Sequence, residues 1–182
     1  MLQRILSHLP GNFPVPVLIV QHIAAGFTSG FVEWLAQSSN LPVRIAEHGE
    51  HVLAGHCYVA PDGFHMKVIG GGQIWLSKEE PENGLRPSVS SLFRSVAKMY
   101  GASAVGVLLT GMGKDGAQEL KLMKEHGAIT FAQDQESSVV HGMPGEAISL
   151  GAATYVLSPE KIAASLTSLV NGRCENGQPR SN

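Results

Sequence analysis

The chain has 182 residues, of which 43% are hydrophobic, and this is enough for one domain with a substantial core. Its formal net charge of −2 argues against a nucleic-acid partner. No apolar run approaches the roughly 20 residues that span a bilayer, which argues against membrane insertion. The two cysteines, Cys57 and Cys174, form no pair motif, as expected in a reducing compartment. These features predict a cytoplasmic protein.

The first half of the chain predicts alternating helices and strands. A short helix covers LQRILSHL, and the apolar strand PVLIVQH after it is typical of a strand buried on both faces. Thr28 is predicted to cap the next helix, through FVEWLAQSSN, with Phe31, Trp34 and Leu35 toward the core. Short strands within VRIAEHGEHVLAGHCYVAP then lead to a hairpin, HMKVIGGGQIWLSK, that turns at residues 70–72.

The second half continues the alternation. Ser88 is predicted to start a helix that Gly101 ends. The further elements are the strand AVGVLLTG, the helix DGAQELKLMKEHG, the strand AITFAQ, the short helix PGEAISLG, the strand TYVLS and the helix PEKIAASLTSLVNG; the polar tail RCENGQPRSN is predicted to fray. The whole pattern predicts an α/β fold with a doubly wound, mostly parallel sheet, helices on both faces and a small antiparallel hairpin.

The residues that follow strands are the first candidates for a functional site, because ligands bind outside the carboxyl ends of parallel strands. One such segment, LLTGMGKDG at 108–116, contains the spacing G-x-G-x-x-G of a dinucleotide cradle, and Asp134 follows the next strand where a ribose-binding acid would lie. Against that interpretation, Asp115 would repel a phosphate, and the motif comes late in the chain. A third possibility is that the glycines only make a tight turn.

His22 and Asp115 suggest a different chemistry. A lone histidine at a strand end is more often structural than catalytic, but Asp115 follows another predicted parallel strand at the same edge. An aspartate that fixes the tautomer of an imidazole and stabilises its charged form is a feature of hydrolytic triads. His22 and Asp115 therefore supply two members of a Ser-His-Asp system, although no serine lies in a G-x-S-x-G elbow.

Four histidines in the middle of the chain raise the question of a metal. Their spacing matches no zinc pattern, and no cysteine or acid completes a set, so the sequence predicts no metal; they are His48, His51, His56 and His65.

Several segments together resemble a known family. PVLIVQHIAAGFTSGF, GHCYVAPDGFHM, LRPSVSSLFRSVA, AVGVLLTGMGKDGAQEL and VVHGMPGEAI are similar to the catalytic domain of the chemotaxis protein-glutamate methylesterases (CheB type). The resemblance implies a catalytic domain over residues 1–171 and a polar tail over residues 172–182. It also implies a serine esterase, without metal or cofactor, that hydrolyses glutamyl methyl esters on the cytoplasmic helices of methyl-accepting chemoreceptors. Many members also deamidate glutamines there.

The resemblance also implies roles for single residues. His22 matches the general base, Asp115 the acid that orients it, and Met112 a residue whose backbone amide helps to form the oxyanion hole. The family's nucleophilic serine lies on a G-x-S-x-G-G turn before the first helix, and no serine of this sequence matches it. We therefore expect the 182-residue chain to lack the nucleophile and to be inactive on its own.

Other departures from the family pattern concern the partners and contacts that the chain is expected to have. The alternative to an incomplete enzyme is a short form that binds receptors or an active paralogue without hydrolysis. Full-length members of the family also carry a response-regulator receiver domain, which is a further expected partner. Ser90 stands where the family usually has an acid, and Gly84-Leu85 where basic residues and histidine are common. These positions are expected to alter contacts on the substrate side.

Overall fold

The computed structural model describes the backbone of residues 1–175 and the side chains of residues 1–172. Helices and strands alternate within it in the predicted order. The elements are α1 Leu2–Leu6, β1 Val17–Ile19, α2 Thr28–Ser38, β2 Val43–Ile45, β3 Cys57–Val59, β4 His65–Ile69, β5 Gln73–Ser77, α3 Val89–Tyr100, β6 Val105–Leu108, α4 Ala117–Glu125, β7 Ile129–Gln133, α5 Met143–Ser149, β8 Tyr155–Leu157 and α6 Pro159–Glu175.

The parallel strands form two sheets of three, in the orders β2-β3-β1 and β6-β7-β8. Val17 of β1 lies opposite Cys57 of β3, and Val105 of β6 lies opposite Ile129 of β7. The hairpin of β4 and β5 is antiparallel and turns at Gly70–Gly72. The predicted fold class is therefore confirmed, although the parallel strands form two sheets. Within residues 1–175, β1 and β6 each pair with a strand on one side only.

Helices cover both faces of the parallel strands. Leu108, Leu120 and Tyr58 belong to a buried cluster that includes residues of α3, α4 and the hairpin. On the opposite side, Leu6 of α1 belongs to a cluster with residues of β1, β3 and α2, whereas its neighbour Ile5 belongs to a cluster with residues of β6, β7 and α6. Helix α1, which contacts α2 and α6, therefore contributes side chains to the clusters of both three-stranded sheets.

Local sequence signals account for some helix ends and fail at others. The Ser88 hydroxyl accepts a hydrogen bond from the Ser91 amide at 3.2 Å, and Gly101 follows the end of α3 with φ of 47°, as predicted. The prediction for Thr28 is wrong: it is already the first residue of α2, and its hydroxyl donates to the Asp62 carboxylate instead. Trp34 is also wrongly placed, since it is 46% exposed.

The last helix extends further than the sequence predicts. Helix α6 reaches Glu175, so its final residues belong to the segment predicted as a polar tail. The rest of that segment, residues 176–182, lies outside the described residues. Among the described helices, none has the length and apolar character needed to cross a membrane.

The packing of α4 on β6 gives a first testable prediction. A Cβ on Gly106 would lie 2.7 Å from Leu120 Cδ1 and 3.0 Å from Met123 Sδ. Because this core is close-packed, Gly106→Ala should lower the free energy of unfolding by about 1–3 kcal/mol. The matched control is Gly30→Ala on the exposed side of α2, where nothing lies within 4 Å of the added carbon. It should raise the free energy of unfolding by roughly 0.5–1 kcal/mol. Urea unfolding of both variants checks the prediction, and equal effects would contradict it.

Candidate active site

His22 and Asp115 meet at the carboxyl edge of the parallel strands. His22 lies three residues after β1, and Asp115 lies in the loop between β6 and α4. The distance from His22 Nε2 to Asp115 Oδ2 is 2.9 Å, although the two residues are 93 positions apart in sequence. The Asp115 side chain is 2% exposed and the His22 side chain 24%. The structure therefore brings together two of the predicted site residues and leaves the histidine partly open to solvent.

The amino end of α3 holds the Asp115 carboxylate. The Val89 amide donates to Oδ2 at 2.7 Å, and the Ser90 amide donates to Oδ1 at 3.1 Å. The Ser90 hydroxyl lies 2.7 Å from Oδ1. The first amides of a helix have no partner within the helix and lie at the positive end of its dipole, so they are good donors to an anion. The helix that Ser88 starts therefore provides the anion site that Asp115 fills.

These hydrogen bonds determine the ionisation of Asp115. Burial by itself raises the pKa of this carboxyl group, but the hydrogen bonds from His22, the Ser90 hydroxyl and the amides of Val89 and Ser90 outweigh burial. The pKa of Asp115 therefore lies below its ordinary value. Asp115 is a fixed negative charge at neutral pH, next to the ring that can take up a proton.

The contact with Asp115 also fixes which nitrogen of His22 is basic. An ionised carboxylate only accepts hydrogen bonds, so Nε2 must carry the proton that is donated to it. The lone pair of the neutral ring then lies on Nδ1. Among the described residues, no hydrogen-bond partner of His22 Nδ1 is found, and no serine hydroxyl bonds to either ring nitrogen. The ring therefore has a lone pair on Nδ1 that is available to accept a proton.

The glycine-rich loop after β6 is anchored by the segment before α5. Gly111 donates its amide to the Val140 carbonyl at 3.0 Å, and its own carbonyl accepts from the amides of Gly142 and Met143 at 3.1 and 2.9 Å. A Cβ on Gly142 would lie 2.7 Å from the Gly111 oxygen, so only glycine allows this close approach. The segment Gly142-Met143-Pro144 thus fixes the path of the loop.

Met112 lies at the exposed tip of this loop. Its side chain is 83% exposed, and within the described part of the chain its backbone amide has no acceptor. Gln133, the last residue of β7, is fully buried and contacts the same loop. Its Oε1 accepts from the Thr110 amide at 2.9 Å, and its Nε2 donates to the Ser137 carbonyl.

The other candidates have local partners. Asp134 accepts a hydrogen bond from the Ser137 amide at 3.0 Å and closes its own turn. Each of the four central histidines has a ring nitrogen next to a backbone carbonyl oxygen, in the pairs His48 with Leu76, His51 with Gly71, His56 with Ala54 and His65 with Glu80. The described residues contain no group of three or more His, Cys, Asp or Glu side chains that could hold a metal ion.

Ser90 lies elsewhere in the site than the sequence predicts. It was expected to alter contacts with the substrate, but it is 4% exposed and its hydroxyl contacts Asp115. The signal available in the sequence was its position, two residues after the helix cap Ser88, where backbone amides attract carboxylates. Which carboxylate is attracted depends on the packing of α3 against the loop after β6, and the sequence does not show this.

Fold and site together define a class: α/β proteins with an aspartate-oriented histidine at the carboxyl edge of their parallel strands. The comparisons with known proteins narrow the class to one family. The model of the CheB methylesterase family matches residues 1–166, so the chain belongs to this family.

The relatives agree in both sequence and structure. The chain is 66% identical over 174 residues to the protein-glutamate methylesterase/protein-glutamine glutaminase of Nitrosospira multiformis, with 96% of this chain and 49% of that protein covered. It is 64% identical over 168 residues to one from Syntrophus aciditrophicus, with 92% and 48% covered. The chain thus spans about half the length of these relatives. The crystal structure of the Thermotoga maritima CheB methylesterase catalytic domain is similar with a TM-score of 0.89 at 39% identity, over 92% of this chain and 90% of that one.

The lowered pKa of Asp115 predicts how stability depends on pH. Because its pKa is lower in the folded chain than the value of about 3.9 in unfolded chains, its stabilising contribution is complete above that value. The contribution is lost as pH falls through the lower pKa of the folded state. The difference in free energy of unfolding between wild type and Asp115→Asn should therefore shrink from pH 7 to pH 3 in urea titrations.

Asp134→Asn is the control for this titration. The pKa of Asp134 is also lowered, chiefly by the hydrogen bond from the Ser137 hydroxyl, but Asp134 is only partly buried. Solvent screening should make its difference smaller than that of Asp115→Asn. A difference for Asp115→Asn that is independent of pH would contradict the predicted linkage.

Two glycines of the same loop give a matched pair of substitutions. Gly113 and Gly116 both have positive φ, of 87° and 81°, but only Gly116 is crowded: an added Cβ would collide with Val89 Cγ1. Gly113→Ala should cost about 1–2 kcal/mol through its backbone alone. Gly116→Ala should cost more and should also displace Val89 from Asp115. Urea unfolding measures both costs, and equal costs would show that the contact with Val89 is not tight.

Proposed function

We propose that this chain forms the catalytic part of a protein-glutamate methylesterase that acts on methyl-accepting chemoreceptors. The observation that carries the proposal is the His22–Asp115 pair at 2.9 Å, with Nδ1 of the histidine unoccupied at the carboxyl edge of the strands. Membership of the CheB methylesterase family and the names of the relatives supply the substrate class. The same names include protein-glutamine glutaminase, so we extend the proposal to deamidation of glutamine side chains.

The proposed reaction is acyl transfer through a serine. Nδ1 of His22 accepts the proton of the serine hydroxyl as its oxygen attacks the glutamyl ester carbonyl. Asp115 holds the imidazole and stabilises its charged form, and the free amide of Met112 donates to the oxyanion. One such donor is worth about 3 kcal/mol in the transition state. Methanol leaves first, and water then hydrolyses the acyl-enzyme to release the glutamate side chain.

The proposed nucleophile is not one of the described serines, since none bonds to His22. The strand topology supports a position for it. β1 leads to His22 and β6 leads to Asp115, and each has one edge without a partner strand within residues 1–175. A parallel strand that paired with these two edges would end at the same edge of the fold as His22 and Asp115. We propose that the serine follows such a strand.

The rim of the site suits an apolar protein surface. Phe27, Met112 and Val139, on the loops after β1, β6 and β7, are 65%, 83% and 81% exposed. Exposed apolar side chains of this size are typical of interaction sites. We propose that they contact the cytoplasmic helices of the receptor, which would place the reaction in the cytoplasm. A response-regulator receiver domain is the second proposed partner.

The proposal is tested by supplying such a strand and serine. A segment with an apolar strand and the G-x-S-x-G-G turn is joined ahead of Met1, and methanol release from methylated receptor is measured. The joined protein should turn over, and the 182-residue chain alone should show essentially no activity. Within the joined protein, His22→Ala and Asp115→Asn should each lower kcat by a factor of about 10³ or more with little change in KM.

Two controls make the result specific. Serine→Ala in the added segment must abolish turnover, and Asp134→Asn should leave it unchanged because Asp134 only closes its own turn. Normal turnover by Asp115→Asn would remove this residue from the mechanism. A joined protein that binds receptor without releasing methanol would favour the alternative of a binding module.

A further inference from the structure

The Ser90 hydroxyl lies between two carboxylates. Its Oγ is 2.7 Å from Asp115 Oδ1 and also 2.7 Å from Glu119 Oε2, and it accepts the Gly116 amide at 3.1 Å. Glu119 is in turn held by Arg94, whose Nη1 lies 2.8 Å from Glu119 Oε1. A second carboxylate, that of Glu82, also pairs with Arg94. A continuous chain of polar contacts thus runs from His22 through Asp115 and Ser90 to the surface of α3 and α4.

The hydroxyl cannot serve both carboxylates at once, because a serine has one proton to donate. When that proton points to Asp115, the carboxylate shares its charge with one more donor and attracts the His22 proton less strongly. When it points to Glu119, Asp115 keeps more charge for His22. The direction of a single buried hydroxyl therefore changes the charge that the histidine faces.

We propose that Ser90 is a positioning residue that sets the basicity of His22 through Asp115, and that Glu119 competes with Asp115 for its proton. The geometry carries the inference: Ser90 is 4% exposed and has no hydrogen bond to His22, and its side chain is the only one besides that of His22 that contacts Asp115 among the hydrogen bonds of the described residues. It acts on the histidine only through the carboxylate.

The test is a double-substitution cycle in the 182-residue chain. For each variant, the His22 ring is titrated by NMR and the midpoint is measured. Ser90→Ala removes a donor from Asp115 and should raise the midpoint of the His22 titration by about 0.3–0.5 pH units. In Glu119→Gln, the Arg94 guanidinium pairs with the amide oxygen, because it can only donate. The NH₂ group then faces Ser90 and donates to its Oγ, which directs the hydroxyl proton to Asp115. The midpoint should then fall by a similar amount.

The double variant separates the proposal from simple charge removal. If Ser90 transmits the effect, Glu119→Gln should shift the midpoint by less than half as much in the Ser90→Ala background as in wild type. A through-space charge effect would give the same shift in both backgrounds, and this additive result would overturn the proposal.

Three further variants control for packing. Ser91→Ala is the matched control, since the neighbouring Ser91 hydroxyl is buried and has no hydrogen-bond partner among the described residues, and it should leave the midpoint unchanged. Ser90→Thr keeps the hydroxyl and should restore the wild-type midpoint. If Ser90→Ala does not fold, Ser90→Cys, whose thiol is a weak donor, replaces it in the cycle. The titration needs no turnover, so a failure here is distinguishable from a failure of the proposed esterase function.

Discussion

The Asp115 carboxylate is the interaction on which the site depends. One buried anion joins three separate parts of the chain: the segment after β1 through His22, the loop after β6 that carries it, and the amino end of α3 through Val89 and Ser90. A buried charge without partners costs several kcal/mol. Here His22, the amides of Val89 and Ser90 and the Ser90 hydroxyl contact the carboxylate, and the positive end of the α3 dipole lies next to it, so the charge is stabilised where it contacts the histidine.

The antiparallel hairpin contributes to the same arrangement, although it lies outside the parallel sheets. His65 of β4 is fully buried, and its Nδ1 lies 3.3 Å from the Ser88 amide, while its Nε2 lies 3.1 Å from the Glu80 carbonyl oxygen. Because a carbonyl only accepts, Nε2 is the protonated nitrogen and Nδ1 accepts from Ser88. The hairpin therefore fixes the start of α3, and through α3 it fixes the carboxylate.

The sequence was sufficient for what depends on local pattern. The alternation of elements, the Ser88 cap, the Gly101 end of α3 and the proximity of His22 to Asp115 all follow from periodicity, capping chemistry and the strand-end rule. It was not sufficient where a side chain chooses among distant partners. Thr28 bonds to Asp62 instead of capping α2, and Ser90 turns inward to Asp115. Both choices depend on how one helix lies against a loop from elsewhere in the chain, which no local window contains.

The glycine spacing after β6 shows why a motif alone does not decide between two chemistries. In a dinucleotide cradle, glycines bring a helix amino end close to a phosphate that comes from outside. Here the helix amino end that receives an anion is that of α3, and the anion is the chain's own Asp115, carried by the glycine-rich loop. The glycines still make a close approach possible, since a Cβ on Gly116 would strike Val89. The same physics that binds a phosphate in one fold thus holds a carboxylate against a histidine in this one.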